Sequence, residues 1–340
     1  MNLQELGQIA HQLVADNRGI LAADESTTTI EKRFKAIGIA STEENRRAYR
    51  EMLFTTPGAE KFISGVIMYD ETIRQKTRAG VPFPEFQSKL GIVPGIKVDK
   101  GAKPLAGSPN EKITEGLDGL RERLQEYHKL GARFAKWRAV IDIADDIPTE
   151  YCIRANAQAL ARYAALCQEA GLVPIVEPEV LMDGSHTIER CAEVTSATLK
   201  TVFDELYAHQ VALEGMLLKP NMVISGMKCA TQAGIEQVAR ETVRILKQRV
   251  PAAVPGIVFL SGGQSAELAT AHLNAMNALG GSYPWALSYS YGRALQAPAL
   301  TAWKGQDAGV AAGQAALHHR AQCNSAACAA TYSSRMEQAA

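Results

Sequence analysis

A lysine at the end of an apolar segment is the first residue of this sequence that could do chemistry. Lys219 follows Met-Leu-Leu and precedes Pro in EGMLLKPNMV, residues 214–223. An ammonium group in such surroundings loses hydration, so it must pair with a carboxylate or give up its proton. A single lysine of this kind can also mark the point where a strand reaches solvent, with its aliphatic stem along the core.

Charged side chains occupy comparable places in four other apolar segments. If these segments are strands, residues two apart share a face, so the pairs in FAKWRAV, VPIVEPEV and GIKVDK each point to one side. The residues are Lys136 and Arg138, Glu177 and Glu179, Lys97 and Asp99, and also Asp24 at the end of GILAAD. So many charges inside apolar runs favour one shared site, although buried ion networks can also be structural.

Two turns rich in small residues carry a different signal. SGGQS at 261–265 and SYGRA at 290–294 present backbone N–H groups at predicted helix starts. Exposed amides, a helix dipole and a neighbouring arginine bind phosphate well. One such turn usually means only a turn, but the two together predict a phosphate site formed by these turns and Arg293.

Lysines, carboxylates and a phosphate grip together fit carbonyl chemistry on a sugar phosphate. A neutral lysine can attack a ketone to form a Schiff base, whose protonated form draws electrons from a neighbouring carbon–carbon bond. Nearby cations lower the pKa of such an amine. Glu177, Glu179 and Asp24 can supply the proton transfers that the reaction needs.

Eight short apolar segments alternate with stretches of helical periodicity and must position these side chains. The segments span residues 19–24, 63–70, 92–98, 134–140, 173–180, 215–221, 256–263 and 285–292. Helix signals between them include a predicted capping box at Ser41 and Glu44, and helix ends at Gly131 and Gly171. This order predicts an α/β fold, a single (β/α)8 TIM barrel with its active site at the carboxyl ends of the strands. Two doubly wound domains are the alternative, weakened because no GxGxxG turn follows the first segment.

The segments define a catalytic barrel domain over residues 1–303, which includes an amphipathic amino-terminal helix. Residues 304–340 are predicted to form a C-terminal helix and a flexible tail, because an Ala-rich helical stretch there loses its pattern.

The composition of the chain limits the binding partners and the cellular setting that can be expected. The chain has 36 basic and 36 acidic side chains among 340 residues, so charge gives no reason to expect nucleic-acid or membrane binding. Its six cysteines form no CxxC pairs and have no histidines at zinc spacing. A reducing, cytoplasmic setting is therefore expected.

The motifs that hold these residues resemble one family along most of the chain. LAADES, EENRR, GIKVDKG, PLAG, GLDGL, FAKWR, ARYA, VPIVEPE, LLKPNMV, FLSGGQS, PWALSYSYGRALQA and AW occur in order between about residue 18 and about residue 303. They resemble the class I fructose-1,6-bisphosphate aldolases. The resemblance implies a (β/α)8 barrel that reversibly splits fructose 1,6-bisphosphate into dihydroxyacetone phosphate and glyceraldehyde 3-phosphate, without a metal or other cofactor.

The resemblance also implies a role for each site residue. Lys219 would be the Schiff-base lysine, and Glu177 the general acid and base. Lys136 would steady charged intermediates, Asp24 would position the reacting carbons, and Glu179 would be a supporting carboxylate. Arg293, Ser261 and Gly262, with Gly292 nearby, would hold the phosphate next to the ketone. The distal phosphate would be bound by Arg138 and Lys97, with Ser26, Thr29 and Arg33 near it; Thr29 stands where the family has serine.

The C-terminus departs from the family pattern. The best-known members end in a tyrosine that helps protonate the enamine, whereas this sequence ends in MEQAA, and Tyr332 lies several residues inside. The expectation is a bisphosphate aldolase with a different dependence on its tail. The family commonly forms tetramers, so a homo-oligomer is expected.

Three other classes of protein compete with this interpretation. A metal-dependent aldolase or enolase-type barrel could use Asp24, Glu177 and Glu179 as ligands, but the lysines would repel a cation. A retaining glycosidase needs paired carboxylates, yet Glu177 and Glu179 come from one segment and the lysines would be unexplained. A binding protein that had lost its chemistry would not need every catalytic-type residue to be present.

Overall fold

Ten strands form two sheets in the computed structural model, which describes residues 2–338. The strands are β1 (Gly19–Ala23), β2 (Ile63–Met68), β3 (Val93–Lys97), β4 (Ala102–Leu105), β5 (Ser108–Thr114), β6 (Phe134–Ile141), β7 (Val173–Val180), β8 (Leu217–Leu218), β9 (Gly256–Phe259) and β10 (Ala286–Tyr291). Eight are parallel and close into a barrel in the order β1-β10-β9-β8-β7-β6-β3-β2, whereas β4 and β5 make a separate antiparallel hairpin. The predicted fold class is confirmed, because each barrel strand falls in one of the eight apolar segments.

Helices cover the outside of the barrel and connect successive strands. They are α1 (Leu3–Val14), α2 (Thr27–Lys35), α3 (Glu43–Phe54), α4 (Asp70–Ile73), α5 (Phe83–Lys89), α6 (Leu120–Lys129), α7 (Glu150–Glu169), α8 (Ile188–Ala208), α9 (Ile235–Arg249), α10 (Ala266–Ala278), α11 (Arg293–Trp303) and α12 (Val310–Cys328). Short 3-10 turns lie at Ala59–Lys61, Leu213–Gly215, Asp307–Gly309 and Ser334–Gln338. No helix between residues 2 and 338 is both long enough and apolar enough to cross a membrane.

Helix ends follow local chemistry, with one correction. Gly131 and Gly171 have φ of 106° and 75° just after α6 and α7, the left-handed conformation that glycine adopts at least cost. The predicted capping box at Ser41 and Glu44 is wrong, because Thr42 is the N-cap residue of α3 and accepts from the Asn45 N–H at 3.1 Å. Glu44 instead pairs with Arg47, since the helix starts one residue later than predicted.

Helix α1 closes the amino-terminal end of the barrel. Its apolar face, with Leu6 and Leu13, packs in one cluster with barrel residues such as Ile20 and Phe134. Gly65 makes this contact possible, because a Cβ there would come within 2.6 Å of the Leu13 side chain. The lower half of the barrel is therefore a packed core, and only the opposite end is available for a site.

The C-terminal segment packs on the helical layer. Leu317 and Ala327 of α12 belong to the same buried cluster as Tyr289 of β10. The terminal turn at Ser334–Gln338 returns to α12, where Tyr332 donates to Glu337 and Arg320 pairs with that carboxylate. The boundary drawn at residue 303 remains a prediction.

His272 is a buried titratable group that links the core to one of the strand-end turns. His272 is a residue of α10 and its ring is buried, with Nδ1 2.5 Å from Gln264 Oε1. Gln264 Nε2 in turn donates to the Ser261 carbonyl at 3.1 Å. Burial lowers the pKa of His272 from 6.5 to about 4. The folded protein therefore holds this ring neutral in a pH range where an unfolded chain would protonate it.

We expect His272 to make the protein less stable as the pH falls from about 6.5 to about 4. In that window the unfolded state binds one more proton than the folded state, so the free energy of unfolding decreases with acidification, by up to about 3 kcal/mol. Urea denaturation at several pH values, for wild type and His272→Gln, would measure it: the variant should show the shallower pH slope. The exposed His11→Gln is the control, and equal slopes in wild type and His272→Gln would contradict the expectation.

Candidate active site

The charged strand ends meet at the mouth of one cavity of about 1260 Å³ at the carboxyl-terminal end of the barrel. All fourteen residues that the sequence nominated line it: Asp24, Ser26, Thr29, Arg33, Lys97, Lys136, Arg138, Glu177, Glu179, Lys219, Ser261, Gly262, Gly292 and Arg293. Parallel strands in a closed barrel end on the same rim, which is why residues far apart in sequence converge here.

Lys219 stands directly after the two-residue strand β8. Its backbone N–H donates to the Val176 carbonyl at 2.8 Å, so the pairing with β7 continues through the lysine. The side chain is buried, and Nζ lies 3.2 Å from Glu177 Oε1. The strand end therefore aims this amine into the cavity and gives it a carboxylate partner.

Glu177 is shared by two lysines. Its Oε2 lies 3.3 Å from Lys136 Nζ, which lies 2.7 Å from Asp24 Oδ2 and 3.9 Å from Asp99 Oδ2. Burial would lower the pKa of Lys136, but the three surrounding carboxylates outweigh it and raise that pKa above its ordinary value. The Lys136 ammonium thus remains charged and occupies the place among these carboxylates that a metal cation would need.

Asp24 is held in its charged form. Burial would raise its pKa, yet Lys136, Lys219 and Lys97 together lower it well below its ordinary value. Asp24 is therefore a carboxylate at any pH where the protein works, able to accept hydrogen bonds and unable to donate a proton.

Lys97, Arg138 and Glu179 are tied to each other through Asp99. Lys97 Nζ lies 2.7 Å from Asp99 Oδ1, and the Arg138 backbone N–H donates to Asp99 Oδ2 at 3.3 Å. The Arg138 guanidinium pairs with Glu179. Both cations are consequently anchored at one side and directed along the cavity wall.

A second buried carboxylate supports the strand that carries Asp24. Glu25 pairs with Arg33 and Arg50, the latter at 2.7 Å, and accepts from Gln296 Nε2 at 2.8 Å. The same Gln296 amide donates to the Ala22 carbonyl at 2.6 Å. Arg33 is thereby fixed from below, and α2, α3 and α11 all hold the end of β1.

The two turns rich in small residues lie side by side. Arg293 Nη2 donates to the Gly262 carbonyl at 2.7 Å; α10 begins just after the first turn, and α11 begins within the second, at Arg293. A Cβ at Gly292 would meet the Ala22 carbonyl oxygen at 3.2 Å, so this turn lies close against the end of β1. Backbone N–H groups, two helix starts and a guanidinium thus share one corner of the cavity, which suits an anion.

Ser26 and Thr29 follow β1 on the cavity rim and also act locally. Ser26 is the N-cap residue of α2, and its Oγ accepts from the Thr29 N–H at 3.4 Å and lies 3.0 Å from Thr29 Oγ1. Their hydroxyl groups are on the cavity surface while they begin a helix.

Two residues of the site were missed from the sequence, and a third was named there but not nominated as a site residue. That third residue is Asp99, which its spacing from Lys97 in GIKVDK placed among the charged strand ends. Glu25 follows Asp24 and gave no signal, because its partners lie on α2, α3 and α11. Ser290 of β10 lines the cavity, and its buried Oγ has no hydrogen-bond partner among the described residues.

A (β/α)8 barrel with two buried lysines bridged by a glutamate at its mouth belongs to the class of barrel enzymes. Comparison with known proteins shows which family of barrel enzymes the chain matches. Residues 5–340 match the family model described as fructose-bisphosphate aldolase class-I. The chain therefore belongs to the class I fructose-bisphosphate aldolases, a family of carbon–carbon lyases, as its motifs predicted.

The names of individual relatives agree with this family assignment. A probable fructose-bisphosphate aldolase class 1 of Xanthomonas axonopodis pv. citri is 61% identical over 325 residues, 95% of this chain and 97% of the relative. The cytosolic fructose-bisphosphate aldolase 4 of Arabidopsis thaliana is 55% identical over 310 residues, 91% of this chain and 79% of the relative. A solved structure of fructose-bisphosphate aldolase from Plasmodium falciparum, in complex with TRAP and a small-molecule inhibitor, superposes with a TM-score of 0.96 at 52% identity, covering 97% of this chain and 96% of that one.

We expect Lys136→Met to destabilise the fold by about 3–5 kcal/mol at pH 7, because three carboxylates lose the buried cation that they share. Without that cation the carboxylates bind protons more readily in the folded state, so the deficit should shrink as the pH is lowered toward 5. Guanidinium denaturation at pH 7 and pH 5 measures both effects. The exposed cavity-rim variant Lys100→Met controls for loss of a surface charge; a deficit in Lys136→Met that is equal at the two pH values would refute the proton-binding argument.

Proposed function

We propose that this chain cleaves fructose 1,6-bisphosphate reversibly into dihydroxyacetone phosphate and glyceraldehyde 3-phosphate through a Schiff base on Lys219. The observation that carries the proposal is the buried bridge in which the two oxygens of Glu177 lie 3.2 Å from Lys219 Nζ and 3.3 Å from Lys136 Nζ. An amine, a proton carrier and a fixed cation are then adjacent on three neighbouring strands.

Schiff-base formation uses the contact between Lys219 and Glu177. Glu177 takes a proton from the Lys219 ammonium, and the neutral amine attacks the ketone carbon, so that the C–N bond forms as the carbonyl π bond breaks. The nitrogen of the adduct gives up a second proton to the former carbonyl oxygen, and Glu177 returns its own proton to the same oxygen, which leaves as water while the nitrogen lone pair completes the iminium. Lys136 stays charged throughout and balances Glu177 when that carboxylate is ionised.

Carbon–carbon cleavage uses Glu177 beside the fixed charge of Lys136. Glu177 accepts the proton of the C4 hydroxyl, the bond between C3 and C4 breaks, and its electron pair moves into the iminium to give an enamine. The aldehyde carrying the distal phosphate leaves, and protonation of the enamine followed by hydrolysis frees dihydroxyacetone phosphate. Asp24, held ionised beside Lys136, positions the reacting carbons by accepting hydrogen bonds, and Glu179 supports the wall through Arg138.

The two phosphates are assigned to opposite sides of the cavity. The corner formed by Ser261, Gly262, Gly292 and Arg293 offers amides, helix starts and a guanidinium to the phosphate next to the ketone. The distal phosphate is assigned to Lys97, Arg138 and Arg33, with the hydroxyls of Ser26 and Thr29 nearby. The anchoring of these cations by Asp99, Glu179 and Glu25 keeps them extended before substrate arrives.

The C-terminal segment holds its tyrosine away from the catalytic cavity. Tyr332 donates from its hydroxyl to Glu337 at 2.8 Å and its N–H donates to Asn274 on α10 at 3.0 Å, outside the cavity lining. We therefore assign enamine protonation to Glu177, which holds the proton taken from the C4 hydroxyl, rather than to Tyr332. The enzyme is proposed to need no metal or other cofactor, to form a homotetramer as the family commonly does, and to work in the cytoplasm; the cytosolic relative of Arabidopsis thaliana supports that last placement.

We expect borohydride reduction with dihydroxyacetone phosphate, in EDTA, to attach the substrate covalently to Lys219. Reduction converts the iminium to a stable amine, which intact mass and peptide mapping detect, and Lys219→Met should give no adduct. Lys100→Met, which removes another cavity lysine, should keep it. A wild-type enzyme that turns over without forming an adduct would sink the Schiff-base proposal, and an adduct without turnover would favour a barrel that has lost the full reaction.

Substitutions at the two phosphate sites should separate the substrates. We expect Lys97→Gln, which keeps a donor toward Asp99, to raise KM for fructose 1,6-bisphosphate roughly 10- to 100-fold, the value of a charge-assisted hydrogen bond. It should change KM for fructose 1-phosphate little, because that substrate has no distal phosphate. Arg293→Ala should raise KM for both substrates to a similar extent, because both carry the phosphate next to the ketone. Steady-state kinetics on both sugars tests the assignment, which is lost if Lys97→Gln impairs both substrates equally.

A further inference from the structure

The C-terminal segment brings three metal-type ligands together on the outside of the barrel. His319 and Cys323 lie one turn apart on α12 and therefore share a helix face. Glu337 comes from the terminal turn, which folds back over that face. None of the three lines the catalytic cavity, so the cluster is separate from the proposed chemistry.

The spacing of the ligand atoms fits a tetrahedral metal ion. Cys323 Sγ and His319 Nε2 are 3.7 Å apart, His319 Nε2 and Glu337 Oε2 are also 3.7 Å apart, and all three atoms lie within 4.8 Å of one another. Zinc bonds of about 2.0–2.3 Å in tetrahedral geometry place neighbouring ligand atoms roughly 3.4–3.6 Å apart. The two separations that involve His319 need shifts of a few tenths of an ångström, and Cys323 Sγ and Glu337 Oε2, which lie within 4.8 Å, would approach each other by up to about 1.3 Å to complete the site.

The surroundings hold Glu337 in place. The Tyr332 hydroxyl donates to Glu337 Oε1 at 2.8 Å, and the Arg320 guanidinium contacts both oxygens of that carboxylate, so a metal ion at Oε2 would share this oxygen with Arg320. Arg320 is itself buried and anchored, since its other nitrogen donates to Thr270 Oγ1 at 2.6 Å and to the Ala266 carbonyl at 3.2 Å. Such outer hydrogen bonds orient a carboxylate ligand and reduce the entropy lost on binding.

The local charges both oppose and favour a cation. Arg320 repels it, whereas Glu337 and Glu267, which both raise the pKa of Cys323, attract it. Burial is the largest cause of that shift and brings the pKa of Cys323 to about 11, so the apo protein carries a thiol here. Binding would form the metal–sulfur bond as the S–H bond breaks and the proton passes to solvent.

We propose that His319 Nε2, Cys323 Sγ and Glu337 Oε2 bind one divalent transition-metal ion of the zinc type, with water as a fourth ligand. A histidine, a thiolate and a carboxylate form a donor set that zinc and cobalt accept readily. The ion would tie the terminal turn to α12. Through Arg320 this lock reaches Ala266, the first residue of the helix that follows the Ser261–Gly262 turn.

Cobalt(II) titration of the full-length protein tests the site, because cobalt reports its own ligands. The expected result is one bound ion per chain, a sulfur-to-cobalt charge-transfer band in the near ultraviolet, intense visible bands of tetrahedral cobalt, and displacement of both by zinc. Affinity should increase about tenfold per pH unit around neutrality, since one thiol proton is released. The groups facing Cys323 in this range are His319, Arg320, Tyr332, Glu337 and Glu267.

Variants assign the ligands and separate binding from folding. Cys323→Ser should remove the charge-transfer band. His319→Gln and Glu337→Gln should each weaken cobalt binding at least tenfold. Cys328→Ser and His318→Gln, on the same helix, are matched controls that should bind as wild type does. Zinc should raise the thermal midpoint of wild type and controls only. No sulfur band at stoichiometric cobalt, or a band that persists in Cys323→Ser, would overturn the proposal.

Discussion

The carboxylate of Glu177, shared between the ammonium groups of Lys136 and Lys219, is the interaction on which the rest of the site depends. It lies in the carboxyl-terminal half of β7, between the strand that carries Lys136 and the strand that Lys219 follows, so any change in the register of the barrel would separate the three groups. Taking these charges out of water is costly, and only close pairing on several sides offsets the cost. Asp24 and Asp99 complete that pairing around Lys136.

The two lysines meet different environments although both are buried. Lys136 contacts three carboxylates and is thereby fixed as a cation, whereas Lys219 meets one, through Glu177 Oε1. The two lysines therefore have different roles: β6 carries a permanent positive charge, and the end of β8, on the other side of β7, carries an amine with a single proton acceptor. A nucleophile surrounded like Lys136 would remain protonated and could not attack a carbonyl.

Supporting layers keep this arrangement rigid. Glu25 and Gln296 hold the end of β1 from outside the cavity, and Gln264 links the Ser261 turn to buried His272. The C-terminal helix adds a third support, because Arg320 and Asn324 both contact Thr270 on α10. A polar site of this density is affordable in a barrel because α1 and the strand interiors supply a large apolar core beneath it.

The sequence by itself determined the eight strands, the parallel barrel and the charged side chains at its mouth, because alternation along strands and the common rim of a parallel barrel follow from local pattern. The family followed from the resemblance of its ordered motifs. It did not give the start of α3, which moved from Ser41 to Thr42, since neighbouring hydroxyl residues compete as caps on local geometry. Tertiary structure alone decided that Asp99 joins Lys136, that Glu25 braces β1 with Arg50 and Gln296, and that Glu337 returns to His319 and Cys323. Those contacts join residues distant in sequence, and their distances depend on packing of the whole barrel, which no local period encodes.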